Sequence, residues 1–115
     1  MNLTEKAGKL LDEFKGGAYL YGAGVLDKVG ARAAGLGKKP LLIADRFPGS
    51  DAFIEEIISS LKAAGLTEVP IEAGAGPNCP LEDLARIADR VKAYDPDVII
   101  SFGGGSTIDA AKAAF

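Results

Sequence analysis

Gly103, Gly104, Gly105, Ser106, Thr107, Ile108 and Asp109 directly follow the apolar run Val98, Ile99, Ile100 and lead into the helix-forming stretch Ala110 to Phe115. Strand, glycines, then helix is the order that builds a phosphate cradle. Consecutive glycines have no Cβ to hold a ligand away, reach positive φ at little cost and leave backbone N–H groups free for an anion. The helix behind them adds about half a positive elementary charge at its N-terminus, so a pyrophosphate placed there meets donors and a favourable dipole together. The Ser106 and Thr107 hydroxyls are further donors. No Lys-Ser or Lys-Thr pair follows the glycines, which rules out a Walker loop, and Ile108 holds the last glycine place of a GxGxxG pattern.

A second cradle competes. Gly22, Ala23 and Gly24 follow an earlier apolar stretch, and Asp45 lies about twenty residues on, the spacing at which a dinucleotide fingerprint places an acid for ribose hydroxyls. Its third glycine position is Asp27, whose charge would face a pyrophosphate. The plainer readings are that Gly103 to Gly105 only turn the chain, that Asp109 and Lys112 are solvated, and that Asp45 caps a strand end rather than binding ribose.

These residues need a scaffold to converge. Leu3, Leu10, Leu11 and Phe14 give a leading helical stripe ended by Gly16 and Gly17; Ala18 to Tyr21 reads as a short strand, and Val25, Leu26, Val29 and Ala33 as a helix face closing at Gly35 and Gly37. Leu41, Leu42, Ile43 and Ala44 form the continuous apolar run of a strand buried on both faces, with Asp45 at its end and Phe47 to Gly49 as its exit. Ser50 is expected as the N-cap of a helix whose apolar face carries Phe53, Ile54, Ile57, Ile58, Leu61 and Ala64, and Gly65 stops it. Thr67 to Ile71 reads as another strand, Ala73 to Cys79 as a Gly- and Pro-rich loop, and Pro80 as the opening of a helix with Leu81, Leu84, Ile87, Ala88 and Val91 inward. Pro96 breaks the chain before the strand Asp97 to Phe102, and the last helix starts near Ser106 or Thr107.

Strands and helices alternate with short connections, so the expected class is α/β, a parallel sheet with helices on both faces. Ligands in such sheets lie beyond the carboxyl ends of the strands, where Asp45, the Ala73 to Pro80 loop and Gly103 to Asp109 all fall. The final helix still presents Ile108, Ala111 and Phe115 when the sequence stops, without a glycine or asparagine cap, and reads as part of a fragment.

The totals agree. A chain of 115 residues suits one domain, and 48% apolar with 25% charged content is ordinary for a globular protein. A net charge of −3 with interspersed signs gives no basic stripe, so nucleic acid is not an expected partner. No run reaches the roughly 18 apolar residues of a membrane span, and the first fifteen residues do not resemble a signal peptide, which makes the cytoplasm the expected location. The lone cysteine, Cys79, reads as a small loop residue; with no histidine in the chain, a catalytic triad and the commonest metal ligand are both absent from it.

The segment GGGSTIDAAKA after an apolar strand resembles the iron-containing alcohol dehydrogenase family, as do LLIADRF at Leu41 to Phe47, GPNCP at Gly76 to Pro80 and YLYGAGVL at Tyr19 to Leu26. The resemblance implies the Rossmann-like N-terminal part, residues 1–115, of a dehydroquinate-synthase-like two-domain fold, with a C-terminal helical metal-binding domain that this chain lacks. It implies an oxidoreductase that interconverts alcohols and aldehydes or ketones with NAD or NADP, uses a divalent metal such as iron or zinc, takes a small-molecule substrate and can form homo-oligomers. Carried over to matching positions, Gly104, Gly105, Ser106 and Thr107 would hold the pyrophosphate, Asp45 the adenosine ribose and Asn78 the adenine side, while Asp109 would order the glycine loop near the nicotinamide. An acid at position 45 would repel a 2′-phosphate, so NAD is expected over NADP, a preference softened by Arg46 beside it. The chain alone is expected to be catalytically silent. A stand-alone, non-catalytic nucleotide-binding module and a purely structural α/β domain are the competing readings.

Overall fold

The computed structural model describes residues 2–7, 9, 22 and 24–115. Residues 3–7 are helical, and the Asn2 side chain accepts the Glu5 N–H at 2.8 Å, a local N-terminal cap. The expected strand Ala18 to Tyr21 and most of the leading helical stripe lie outside the described residues.

Five helical segments and three strands follow. A 3₁₀ turn, Leu26–Lys28, runs into α1 (Val29–Ala34); then come β1 (Pro40–Ala44), α2 (Ser50–Ala63), β2 (Ile71–Ala73), α3 (Leu81–Tyr94), β3 (Val98–Phe102) and α4 (Gly105–Ala114). The three strands form a parallel sheet in the order β2-β1-β3, with Leu42 opposite Ile71 on one side and Ile100 on the other. All five residues of β1 are buried, as a central strand covered on both faces requires. Pro40 is tolerated there because it is the first residue of the strand.

The alternation of side chains along β1 sorts the core into two layers. Leu42 and Ala44 pack with Ala33, Ile54, Ile57 and Leu61 from α1 and α2. Leu41 and Ile43 face the other way, onto Ile87 and Val91 of α3 and Ala110 and Ala111 of α4. Helices therefore cover both faces, as the sequence predicts. α1 approaches α2 closely at Gly30, whose N–H donates to Ser60 Oγ at 2.8 Å and whose missing Cβ would overlap the Ser60 carbonyl.

Three local expectations are corrected. Leu81, expected inward on α3, is 77% exposed because it sits in the helix's first turn beyond the layer that Ile87 and Val91 pack into. The second strand begins at Ile71 rather than spanning Thr67 to Ile71, because Pro70 has no N–H and enters the ladder only as an acceptor, from Leu42 N at 3.0 Å. Gly49, at φ 89°, is the N-cap of α2, while Ser50 is the first helical residue; its buried hydroxyl accepts the Phe47 N–H at 3.0 Å and ties down the turn instead. Gly65, at φ 95°, does end this helix, with Leu66 N reaching back to the Leu61 carbonyl at 2.9 Å. Among the described residues, no helix is long and apolar enough to cross a membrane.

Candidate functional site

Because β1 lies between β2 and β3, the chain leaves it in one direction and returns on its other side, and the loops after all three strands meet above its carboxyl end. That is the topological switch point at which open α/β sheets bind ligands. Asp45 occupies it. Its backbone N–H extends the ladder to the Phe102 carbonyl at 2.9 Å, and Gly74 N does the same to the Ala44 carbonyl at 3.0 Å, so both flanking loops leave the sheet at a fixed height.

The Asp45 side chain turns inward between those loops. Oδ2 accepts the Gly104 N–H at 2.9 Å, and Oδ1 accepts the hydroxyl of Thr107. Thr107 is fully buried, and its Oγ1 also accepts the Ala75 N–H at 2.9 Å. The fit leaves no slack: a Cβ on Gly74 would overlap Asp45 Oδ1 and Thr107 Oγ1, and one on Gly103 would overlap the Asp45 carboxylate. Gly103 is also at φ 150°, which side chains rarely adopt. One carboxylate thus joins the end of β1 to the glycine loop and, through Thr107, to the loop after β2.

Gly104 and Gly105 are different. Gly104 has an ordinary φ of −77°, neither glycine is among those at positive φ, and a Cβ on either meets no atom within 4 Å. Nothing inside the described protein demands glycine at these two exposed positions. The α4 N-terminus begins there, and its first-turn N–H groups at Gly105, Ser106 and Thr107 have no intrahelical acceptor. A bare, electropositive helix N-terminus open to solvent is the result.

Beside it lies a cavity of about 350 Å³ lined by Asp45, Arg46, Phe47 and the loop Ala73 to Gly76. Phe47 and Phe53, both about half exposed, lean on Phe102 with ring centroids 5.9 and 6.1 Å apart, which gives an apolar shelf at its mouth. Arg46 is held by Asp51 at 2.9 Å. A larger cavity, about 550 Å³, opens on the outer edge of β3 among Leu36, Ile99, Ile108 and Phe115. Its walls are mainly apolar, whereas Asp45 and Arg46 line the smaller one.

The sequence-predicted residues separate into two groups. Asp45, Gly104, Gly105, Ser106 and Thr107 converge, but the Thr107 hydroxyl is turned beneath the loop toward Asp45 and Ala75 rather than toward the open side. Asn78 is exposed in the loop after β2, at φ 61°, and Asp109 is exposed on α4. The carboxylate that holds the glycine loop is Asp45. Cys79 is half-buried against the α3 layer, an apolar filler. The sequence places the Ala73 to Pro80 loop at this rim without singling out Gly74 and Ala75, which form the wall facing Asp45; it missed Arg86 and Asp83, which hold that wall from α3. The only trace they leave in the sequence is an acid–base pair three residues apart on a helix.

A metal does not fit here. The chain has no histidine, and among the described residues no three Cys, Asp or Glu side chains group closely enough to hold an ion.

A parallel sheet with a glycine loop and an acid at its switch point defines a Rossmann-like architecture, and comparison with known proteins narrows the class. The profile described as iron-containing alcohol dehydrogenase matches residues 17–115, and the chain belongs to that family. It is 43% identical over 76 residues to the bifunctional aldehyde-alcohol dehydrogenase AdhE of Escherichia coli, covering 65% of this chain and 8% of that one. It is 38% identical over 82 residues to the NADPH-dependent butanol dehydrogenase of Clostridium saccharobutylicum, covering 67% and 20%. Among solved structures, an archaeal halo-thermophilic alcohol dehydrogenase from a Red Sea brine pool superimposes with a TM-score of 0.73 at 29% identity, over 83% of this chain and 24% of that one. The chain thus spans a quarter or less of the length of these relatives.

Proposed function

We propose that the rim formed by Asp45 and Gly103 to Ser106 binds a nicotinamide dinucleotide, and that the protein carrying this segment is an alcohol dehydrogenase that interconverts alcohols with aldehydes or ketones. The observation that carries the reading is the pair Gly104 and Gly105, glycines that neither backbone conformation nor packing requires and that leave the helix N-terminus bare. A ligand backbone brought against that surface is the physical reason for their lack of side chains.

In this reading the N–H groups of Gly105, Ser106 and Thr107 and the Ser106 hydroxyl hold the pyrophosphate. Asp45 accepts the adenosine ribose hydroxyls; each carboxylate oxygen has a second lone pair beyond the bond it already accepts. Asn78 lies to the adenine side and Asp109 to the nicotinamide side. Bound cofactor supplies the hydride acceptor or donor. A fixed negative charge at position 45 disfavours a 2′-phosphate, which makes NAD the preferred cofactor, while Arg46 beside it pairs with Asp51 at the exposed surface. The Lewis acid that the family name implies finds no ligand set among the described residues and would be held by other parts of the protein.

Calorimetric titration of the native protein with NAD and NADP tests this. Gly105→Val should fold and lose at least about tenfold in NAD affinity, since a branched side chain enters the phosphate path. Asp45→Ala should narrow the preference for NAD over NADP. A folded Gly105→Val protein that binds normally would remove the glycine loop from the cofactor site.

A further inference from the structure

We propose that Arg86, together with Asp83 on the same face of α3, is a positioning residue for the Asp45 carboxylate, and thereby tunes affinity and selectivity for the dinucleotide. The part about selectivity rests on the nucleotide reading of the rim; the positioning itself does not.

An acid and a base three residues apart on a helix ordinarily form a solvated pair that contributes little. Here the contact between them is the weakest one either makes, Arg86 Nη2 to Asp83 Oδ1 at 3.7 Å. Both side chains direct their polar atoms to the end of β2 and the loop that follows it. Arg86 donates from Nη1 to the Ala73 carbonyl at 2.9 Å and from Nη2 to the Gly74 carbonyl at 2.8 Å, and it pairs with Glu72 of β2. Asp83 Oδ2 accepts the Gly76 N–H at 2.9 Å. Residues 73, 74 and 76 are therefore anchored from α3, and the residue between them, Ala75, donates its N–H to Thr107.

The loop then acts on the rim in two ways. Gly74 lies so close to Asp45 Oδ1 and Thr107 Oγ1 that a Cβ would overlap both, so displacement of the loop toward β1 pushes on the carboxylate. Displacement away from β1 withdraws the Ala75 N–H from Thr107 Oγ1, the hydroxyl that donates to Asp45 Oδ1, and so removes one of the bonds that fix that hydroxyl against the carboxylate. A planar guanidinium with two backbone carbonyls in its fork fixes that distance with a geometry that an ammonium cannot reproduce.

The test compares Arg86→Met and Arg86→Lys with the unaltered native protein by amide hydrogen exchange and by titration with NAD and NADP. In Arg86→Met, exchange at Ala75, Gly76 and Gly104 should accelerate about tenfold or more, while Ile57 on α2 stays protected. The ratio of NADP to NAD dissociation constants should fall several-fold, and Arg86→Lys should recover part of both effects. If Arg86→Met does not fold, the lysine variant is read by the same amides. Unchanged exchange at Gly104 in a folded variant, with only a lower Tm, would overturn the proposal. If Asp45→Ala leaves NAD-over-NADP selectivity untouched, the ribose reading fails, yet Gly104 exchange still decides whether Arg86 positions Asp45.

Discussion

The Asp45 carboxylate and the Thr107 hydroxyl, 62 residues apart in sequence, are hydrogen-bonded to each other beneath the glycine loop. The bond is part of a chain that runs from the Gly104 N–H through both carboxylate oxygens and Thr107 Oγ1 to the Ala75 N–H. Every link is local in space and remote in sequence, and its members support one another as a fully satisfied polar network does.

Thr107→Val keeps the shape of that side chain and removes its hydroxyl. Asp45 Oδ1 and Ala75 N, both partly buried, would each lose a partner, a loss of about 1–3 kcal/mol in unfolding free energy. Thr107→Ser should lose much less. Urea titrations of the two variants measure the difference.

The glycines should divide by what they serve. Gly103→Ala meets both a φ of 150° and the Asp45 carboxylate, and is expected to destabilise the free protein by more than about 1 kcal/mol. Gly104→Ala meets neither and should stay within about 0.5 kcal/mol of the parent, yet weaken NAD binding. Thermal unfolding and calorimetry on the same two proteins separate the roles.

Gly30→Ala should destabilise although alanine is the better helix former by about 1 kcal/mol. The added Cβ would overlap the Ser60 carbonyl, a backbone atom that can yield only if α1 moves off α2. The expected sign is the opposite of what helix propensity alone gives, and a Tm comparison reads it directly.

Asp97 carries the acid sensitivity of the turn before β1. Its carboxylate accepts the Lys38 N–H at 3.0 Å and the Lys39 N–H at 2.7 Å, and these bonds hold its pKa below the ordinary aspartate value. A depressed folded-state pKa contributes stability above the unfolded value of about 3.9 and loses it as the pH falls through the folded value. Wild type should exceed Asp97→Asn in stability at neutral pH, and the gap should close below about pH 4. A gap independent of pH would assign the effect to shape rather than charge.

The legible parts of the fold were those written in periodicity. Leu41 to Ala44 announce a doubly covered strand, Ile54, Ile57 and Leu61 announce the face of α2, and Gly65 announces its end. The second strand was harder, since Thr67 and Val69 look more strand-like than Glu72 and Ala73, and the pairing is decided by what β1 offers opposite them. Ser50 has the composition of a cap, but a glycine at positive φ one residue earlier takes that place. The convergence of Asp45 with Gly104 was readable from the rule that ligand loops follow strand ends. That the Thr107 hydroxyl faces inward, and that Arg86 reaches two carbonyls thirteen and twelve residues before it, depends on packing that no local pattern encodes.

The strand order has a kinetic corollary. Asp45 meets Gly104 across 59 residues and Ala75 meets Thr107 across 32, so no hairpin or single helical turn can assemble any part of the rim in advance. The rim exists only once β2 and β3 have both docked on β1, and such long-range parallel pairings are intrinsically slow to form. The rim would form only as these three strands come together, and a dinucleotide bound there, as proposed above, would act as a latch on the assembled sheet, adding about 2.7 kcal/mol when present at a hundred times its dissociation constant.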